Sequence, residues 1–141
     1  METQERDPLI DFTTAVGKRA QTQLATEQVV WSTTVGEDTA PHPSPVWFLW
    51  DGETVLVFSR PDAPKVRNVA HNPHVALNFR GDSLVLSGQA TIAPKAPRPD
   101  SVAAYFEKYR DGIARLGMTA DAVAATYATA LRVRPTRVRG N

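Results

Sequence analysis

The sequence predicts a mainly β fold, a six-stranded antiparallel β-barrel with flanking helices in a single domain. Short β-prone runs alternate with turn signals at even spacing, which is typical of strands joined by hairpins. The composition includes 15 Val and 14 Thr, which favour strands, and 19 Ala, which leave room for helices. A chain of 141 residues fits one domain with its own core.

A helix is predicted at the start, over about residues 8–27. Phe12, Val16, Ala20 and Leu24 recur every four residues, with mostly polar positions between them. The barrel follows over about residues 28–93. Its predicted strands span residues 29–35, 43–50, 54–59, 74–80 and 83–92.

Turn signals separate these strands. Asp51-Gly52 predicts a hairpin between the second and third. A short helix follows the third, capped by Asp62, with Pro64 in its first turn and Asn72-Pro73 as its stop.

The last part of the sequence predicts helices over about residues 99–130, one over 100–110 and one over 119–130. A final strand at 131–139 closes the barrel. Pro135 lacks an amide donor, so we expect a bulge or an edge position there.

Composition excludes several classes of function. The absence of cysteine rules out disulfides, thiolate nucleophiles and Cys-bound metals. His71 and His74 straddle Pro73 and share no helical face, so we expect no metal site. A net charge of +1 and the lack of a long apolar run predict no nucleic-acid or membrane partner. The acidic, polar start is unlike a secretory signal, which predicts a cytoplasmic protein.

Two segments are candidates for a binding site. The run from His42 to Trp50 holds two prolines, which leave backbone groups free for a planar ligand beside Val46, Trp47 and Phe48. The same aromatics could instead be ordinary core residues.

The second segment runs from Ser59 to Asn68. Ser59 and Arg60 end a strand, and Lys65 and Asn68 share one face of the following helix. Because helix N-termini attract anions, this cluster predicts a phosphate pocket. The alternative is a capped helix with solvated bases.

Four arginines lie near the C-terminus without an acid among them. They could hold an anion or form a solvated end. They are Arg132, Arg134, Arg137 and Arg139.

Together these segments resemble a known family. The similarity extends from about Val29 to Phe79, with an echo in the C-terminal RVRPTRVR. The sequence resembles the flavin-reductase-like split β-barrels related to pyridoxamine 5′-phosphate oxidase, and within them the branch that uses the deazaflavin coenzyme F420. The matching stretches are Trp31-Ser32-Thr33-Thr34, Pro43 to Phe48, Ser59 to Asn68 and Asn72 to Leu77.

The resemblance implies an FMN-binding-like split barrel that forms a homodimer with cofactor sites at the interface. It implies that Ser59, Arg60 and Lys65 hold the cofactor phosphate, with Asn68 nearby. The ring system would lie against Ser44, Pro45, Val46 and Trp47. The partner's Arg132 and Arg134 would close the site or contact a charged tail of the cofactor.

The implied activity is hydride transfer between F420 and a small conjugated organic acceptor, and no side chain is assigned as catalytic. The longer basic pattern around the phosphate of FMN oxidases is missing, which favours F420 over FMN. Three alternatives stay open: an FMN enzyme that reacts with oxygen, a non-catalytic binder of a cofactor or tetrapyrrole, and a nucleic-acid module.

Overall fold

A computed structural model describes residues 11–81, 84–93 and 99–140. It confirms a mainly β fold with flanking helices, but the antiparallel sheet has seven strands among these residues rather than six. The helices are α1 (Ala15–Thr26), α2 (Pro64–His71), α3 (Pro99–Lys108), α4 (Arg110–Arg115) and α5 (Ala120–Thr126). The strands are β1 (Val29–Val35), β2 (Pro41–Trp47), β3 (Leu49–Trp50), β4 (Val55–Ser59), β5 (His74–Asn78), β6 (Val85–Ala93) and β7 (Thr129–Arg139).

The strand order makes the sheet curl on itself. The order is β2-β1-β5-β6-β7-β4-β3, so β2 and β3 form the two opposite edges. These edges are nevertheless consecutive in the chain, separated by Phe48 alone. One residue spans only about 3.3–3.6 Å, so β2 and β3 follow each other end to end. The sheet is therefore an open barrel with a seam at Phe48.

The seam explains the extra strand. The sequence predicts one strand over residues 43–50, but Phe48 belongs to neither ladder. Its N–H donates to the Tyr109 hydroxyl at 2.9 Å, and its carbonyl accepts from Lys108 Nζ at 2.8 Å. Tyr109 Oη also lies 2.6 Å from the Gln28 carbonyl and 2.9 Å from the Phe48 carbonyl, to either of which it can donate. Helix-borne side chains thus replace sheet pairing at this point.

Prolines occupy the exposed edge of the barrel. Pro43 pairs in register with Thr33, and Pro45 pairs with Trp31. Since β2 has a neighbour on one side only, the missing amide donors break no ladder. Two prolines in one strand predict an edge or a bulged position, and β2 lies at an edge.

Two apolar clusters stabilise the fold. The main core fills the inside of the sheet, where Phe48, Leu77, Leu84 and Leu86 are almost fully buried. A second cluster holds Tyr105, Tyr109, Ile113 and Val123 from the C-terminal helices. Trp47 and Phe58 pack against it and connect it to the sheet.

The N-terminal helix is shorter than predicted. It begins at Ala15 because the Thr14 hydroxyl accepts the Gly17 N–H at 2.9 Å and caps it. Residues 8–10 of the predicted span lie outside the described residues. Phe12 precedes the helix and packs edge-on against Trp50.

The predicted cap of α2 is wrong, whereas its end is confirmed. Ala63 is the N-cap and has no side-chain hydrogen bond, with Pro64 at the first position. Asp62 instead accepts a hydrogen bond from Arg67 at its backbone carbonyl, 3.0 Å away. The helix ends at Asn72 as predicted, because Pro73 cannot continue it.

In the C-terminal region the helices and the last strand begin and end at other residues than predicted. A separate helix α4 follows α3, α5 ends at Thr126 rather than near residue 130, and β7 begins at Thr129 rather than 131. β7 lies inside the sheet between β6 and β4. The predicted bulge at Pro135 is confirmed: the register of β6 and β7 shifts between Ser87 and Gly88.

Gly88 is required where the bulge brings the strands together. A Cβ added there would collide with the backbone carbonyl of Arg134. Pro135 pairs with Gly88 and Arg137 with Ser87, which leaves Thr136 as the extra residue. The bulge therefore reverses the alternation of side chains along β7.

No helix within residues 11–81, 84–93 and 99–140 is long and apolar enough to cross a membrane. In the same ranges no three His, Asp or Glu side chains gather where a metal ion could bind.

Substituting Tyr109→Phe should lower the free energy of unfolding by about 1–3 kcal/mol, because the buried Phe48 N–H loses its partner. The measurement is urea denaturation. Tyr105→Phe is the matched control: Tyr105 lies one helical turn earlier and is 5% exposed. Its hydroxyl bonds to no described residue. Equal losses of unfolding free energy in the two variants would contradict the role assigned to the Tyr109 hydroxyl at the seam.

Lys108 should make stability depend on pH. Burial lowers the pKa of its ammonium from 10.5 to about 8, despite the attraction of Glu27. Between these values the unfolded chain binds more protons at this lysine than the folded protein does, so stability rises with pH. Lys108→Met should flatten that rise.

The test is a series of urea titrations from neutral pH to just below pH 10, where tyrosines of the unfolded chain begin to ionise. The lowered pKa of Lys65 acts in the same direction in both proteins, so it cancels in the comparison. Parallel stability curves for the two proteins would refute the assignment to Lys108.

Candidate functional site

A cavity of about 310 Å³ opens where the end of β2, the β4–α2 connection and the C-terminal helices meet. It has a cationic end and an aromatic end, and no Asp or Glu of the described residues lines it. Its walls are Pro45, Val46, Trp47, Phe58, Ser59, Arg60, Ala63, Lys65, Tyr105, Leu116, Val123 and Tyr127.

The cationic end is built where β4 stops and α2 starts. Ser59 is 2% exposed, and its hydroxyl donates to the Arg60 carbonyl at 3.0 Å. The Arg60 guanidinium lies 5.7 Å from the centre of the Tyr127 ring. Lys65 is half-buried in the first turn of α2, and burial lowers the pKa of its ammonium.

These cations have no counter-ion within the part of the chain that the structure describes. Among the described residues neither Arg60 nor Lys65 forms an ion pair. The start of α2 lacks a side-chain cap as well. A helix N-terminus carries partial positive charge and unbonded amides. This end of the cavity therefore favours an anion.

The aromatic end is a stack held in a fixed orientation. The Trp47 indole lies parallel to the Tyr109 ring, with centroids 4.4 Å apart and an interplanar angle of 2°. Gly112 allows α4 to approach the other part of the indole. A Cβ at this position would come within 3.1–3.2 Å of Trp47 carbons. The indole thus offers a rigid apolar wall next to Pro45 and Val46.

A second cavity of about 120 Å³ adjoins the first. Both are lined by Phe58, Tyr105, Val123 and Tyr127. The remaining walls of the smaller cavity are Val102, Phe106, Ala124 and Ala128. Its surface is therefore almost wholly apolar.

The larger cavity brings together most of the residues that the sequence singles out. Two of the others lie elsewhere. Ser44 is in mid-strand opposite Ser32. Asn68 is turned toward the β1–β2 hairpin, where its amide donates to Thr34 Oγ1 at 3.0 Å. The predicted residues that line the cavity are Pro45, Val46, Trp47, Ser59, Arg60 and Lys65.

Arg132 and Arg134 line a separate depression on the outside of the sheet. Arg132 Nη1 donates to Asp51 Oδ2 at 2.9 Å and to Thr54 Oγ1 at 2.7 Å. The bulge at Thr136 places Arg137 and Arg139 on the same outer face, opposite Ser87 and Val85. We call Arg132, Arg134, Arg137 and Arg139 the arginine row. Within one protomer it does not reach the cavity.

The same outer face is apolar at its β1–β2 end. Trp31 is 51% exposed and Val29 is 40% exposed. Their cross-strand partners are Pro45 and Trp47, which belong to the cavity wall. The exposed apolar surface is therefore continuous with the mouth of the cavity.

A family model described as pyridoxamine 5′-phosphate oxidase matches residues 16–141. The chain belongs to this family. Its curled sheet is the split barrel of the pyridoxamine 5′-phosphate oxidase family, with seven strands among the described residues. A search of curated proteins finds no match.

Solved structures extend the comparison. An F420 reductase is 26% identical with a TM-score of 0.64, covering 84% of this chain and 94% of that chain. General Stress Protein 26 from Bacillus anthracis is 15% identical with a TM-score of 0.66, covering 87% and 91%. HutZ, the heme storage protein from Vibrio cholerae, is 15% identical with a TM-score of 0.71, covering 90% and 95%. The latter two similarities show the fold alone.

In this member of the pyridoxamine 5′-phosphate oxidase family, sequence reasoning missed two residues near the cationic end and the wall supplied by the C-terminal helices. The missed cavity residues are Phe58, Ala63, Tyr105, Leu116, Val123 and Tyr127. One signal was available: Tyr105, Tyr109 and Ile113 recur every four residues and mark a buried helical face.

Proposed function

We propose that this protein is an oxidoreductase that uses coenzyme F420 and acts on a small conjugated organic acceptor. The observation that carries the proposal is the single cavity with unpaired cations at one end and a rigid indole wall at the other. The 26% identity to an F420 reductase supports the same cofactor.

The cationic end fits a phosphate group. Arg60 and Lys65 lack counter-ions among the described residues, and the uncapped start of α2 adds backbone donors. A phosphate would remove the cost of keeping a half-buried ammonium without a partner. The Ser59 hydroxyl lies at the same end of the cavity and can orient that group.

The aromatic end fits a planar ring system. Trp47 is held by Tyr109 on one face, while Pro45 and Val46 continue the wall. When bound, a reduced deazaflavin supplies a hydride. The chain's own residues fix the ring position and exclude water, and positioning of this kind is a large part of such catalysis.

FMN is the alternative cofactor, since it carries the same combination of a planar ring and a phosphate. Heme binding receives less support from the site. None of the described residues that line the cavity is a His or a Met, the ligands used by many heme proteins.

We further propose that the active form is a homodimer. Trp31 and Val29 are exposed beside the cavity wall, and a second protomer would cover them. Leu116, which also lines the cavity, is 58% exposed. In a twofold dimer each protomer could add its arginine row to the other's cavity and extend the cationic end.

Titration with F420 and with FMN tests the choice of cofactor. We expect F420 fluorescence to be quenched at low micromolar concentrations of protein and FMN to bind more weakly. Tighter binding of FMN, or a protein that is yellow when purified, would reject the deazaflavin assignment.

Lys65→Ala should remove a charge-assisted contact worth about 1.5–3 kcal/mol. Affinity for F420 should fall roughly 10- to 150-fold. Arg67→Ala is the matched control because Arg67 lies on the same helix, is exposed, and does not line the cavity. Equal affinity of the Lys65→Ala variant and the wild type would place the phosphate elsewhere.

Trp31→Ser should convert a dimer into monomers, since an exposed tryptophan is a common anchor of interfaces. Light scattering measures the mass of the particle for both proteins. Unfolding of the variant by urea serves as the control for folding. A wild-type protein that is monomeric at micromolar concentration would contradict the dimer.

A further inference from the structure

Tyr105 carries a buried hydroxyl without a partner. The residue is 5% exposed, and its oxygen bonds to no described residue. Its ring is held by Phe58 at 4.4 Å, Tyr109 at 4.9 Å and Phe106 at 5.8 Å between centroids. Unpaired buried polar groups are uncommon in folded proteins. A fixed ring with a free hydroxyl is therefore a candidate for ligand recognition.

The hydroxyl oxygen keeps some accessible surface, because it is not one of the fully enclosed polar atoms that lack a partner. Tyr105 lines both the larger and the smaller cavity. Burial raises the pKa of this hydroxyl, and the nearby Tyr109 and Tyr127 raise it further. The group consequently stays protonated and can donate a hydrogen bond.

The walls of the smaller cavity favour an apolar occupant. Apart from the tyrosine hydroxyls its walls are aliphatic or aromatic, supplied by Val102, Phe106, Val123 and Ala124 among others. An apolar compound would fill it, and one acceptor atom could bond to Tyr105. The larger cavity next to it takes the cofactor under the proposed function.

We propose that the smaller cavity is the substrate subsite and that the Tyr105 hydroxyl donates a hydrogen bond to the carbonyl oxygen of an apolar, planar aryl or conjugated ketone. That the ketone is a substrate rests on the proposed function, whereas the binding of the ketone does not. Tyr105 is thus a specificity-determining residue for compounds with a carbonyl group.

Two small ligands of similar shape test the subsite in the cofactor-free protein. Acetophenone has a carbonyl where ethylbenzene has a methylene group. A neutral hydrogen bond should make acetophenone bind about 3- to 10-fold more tightly than ethylbenzene. Dissociation constants come from chemical-shift titrations. Equal affinities of the wild type for the two compounds would overturn the proposal.

Tyr105→Phe should abolish this preference while affinity for ethylbenzene stays the same. Tyr127→Phe is the control because Tyr127 lines both cavities as well, and this variant should keep the preference. A preference that survives in Tyr105→Phe overturns the proposal. So does a Tyr105→Phe variant that fails to fold, because its hydroxyl would then be structural.

F420 binding separates this inference from the proposed function. If the wild type shows no affinity for F420 but prefers acetophenone, the proposed function fails and the subsite stands. If F420 binds and the preference is absent, the subsite fails and the proposed function stands.

Discussion

The Tyr109 hydroxyl holds together the two edges of the sheet. At Phe48 the chain leaves one edge strand and enters the other, so its N–H and carbonyl have no neighbouring strand to pair with. Tyr109 accepts the N–H, and Lys108 donates to the carbonyl. Buried backbone groups left without partners would be costly. The closure of the barrel therefore depends on two side chains from outside the sheet, Lys108 at the end of α3 and Tyr109 directly after it.

The same residues shape the candidate site. The Tyr109 ring that supports the seam also stacks on Trp47, and the Tyr105 ring packs against Tyr109. The seam and the aromatic end of the cavity are thus one assembly. The cationic end is built by other elements, because β4 and the start of α2 position Ser59, Arg60 and Lys65. It contacts the aromatic cluster where the Arg60 guanidinium lies 5.7 Å from the centre of the Tyr127 ring. Chemistry at the two ends can be altered separately by substitution away from this contact.

Local pattern was sufficient for most of the fold. Proline positions indicated the edge strand and the bulge, and the Asn72-Pro73 pair indicated the end of α2. The division of the second strand could not be predicted, because the groups that bind Phe48 lie 60 and 61 residues away in the chain. Asn68 shows a similar limit. Helical spacing places it near Lys65, but the curved sheet brings Thr34 within 3.0 Å of its amide.

The position of β7 has a consequence for how the chain folds. It is the last strand in the sequence, yet it lies in the middle of the sheet and joins the β2-β1-β5-β6 half to the β4-β3 half. During synthesis the two halves have no strand between them until β7 emerges. Pairing over such separations is slow, and unpaired strand edges invite aggregation. The cavity takes walls from both halves and from α3 and α5, so it cannot be complete before these late elements have been synthesised.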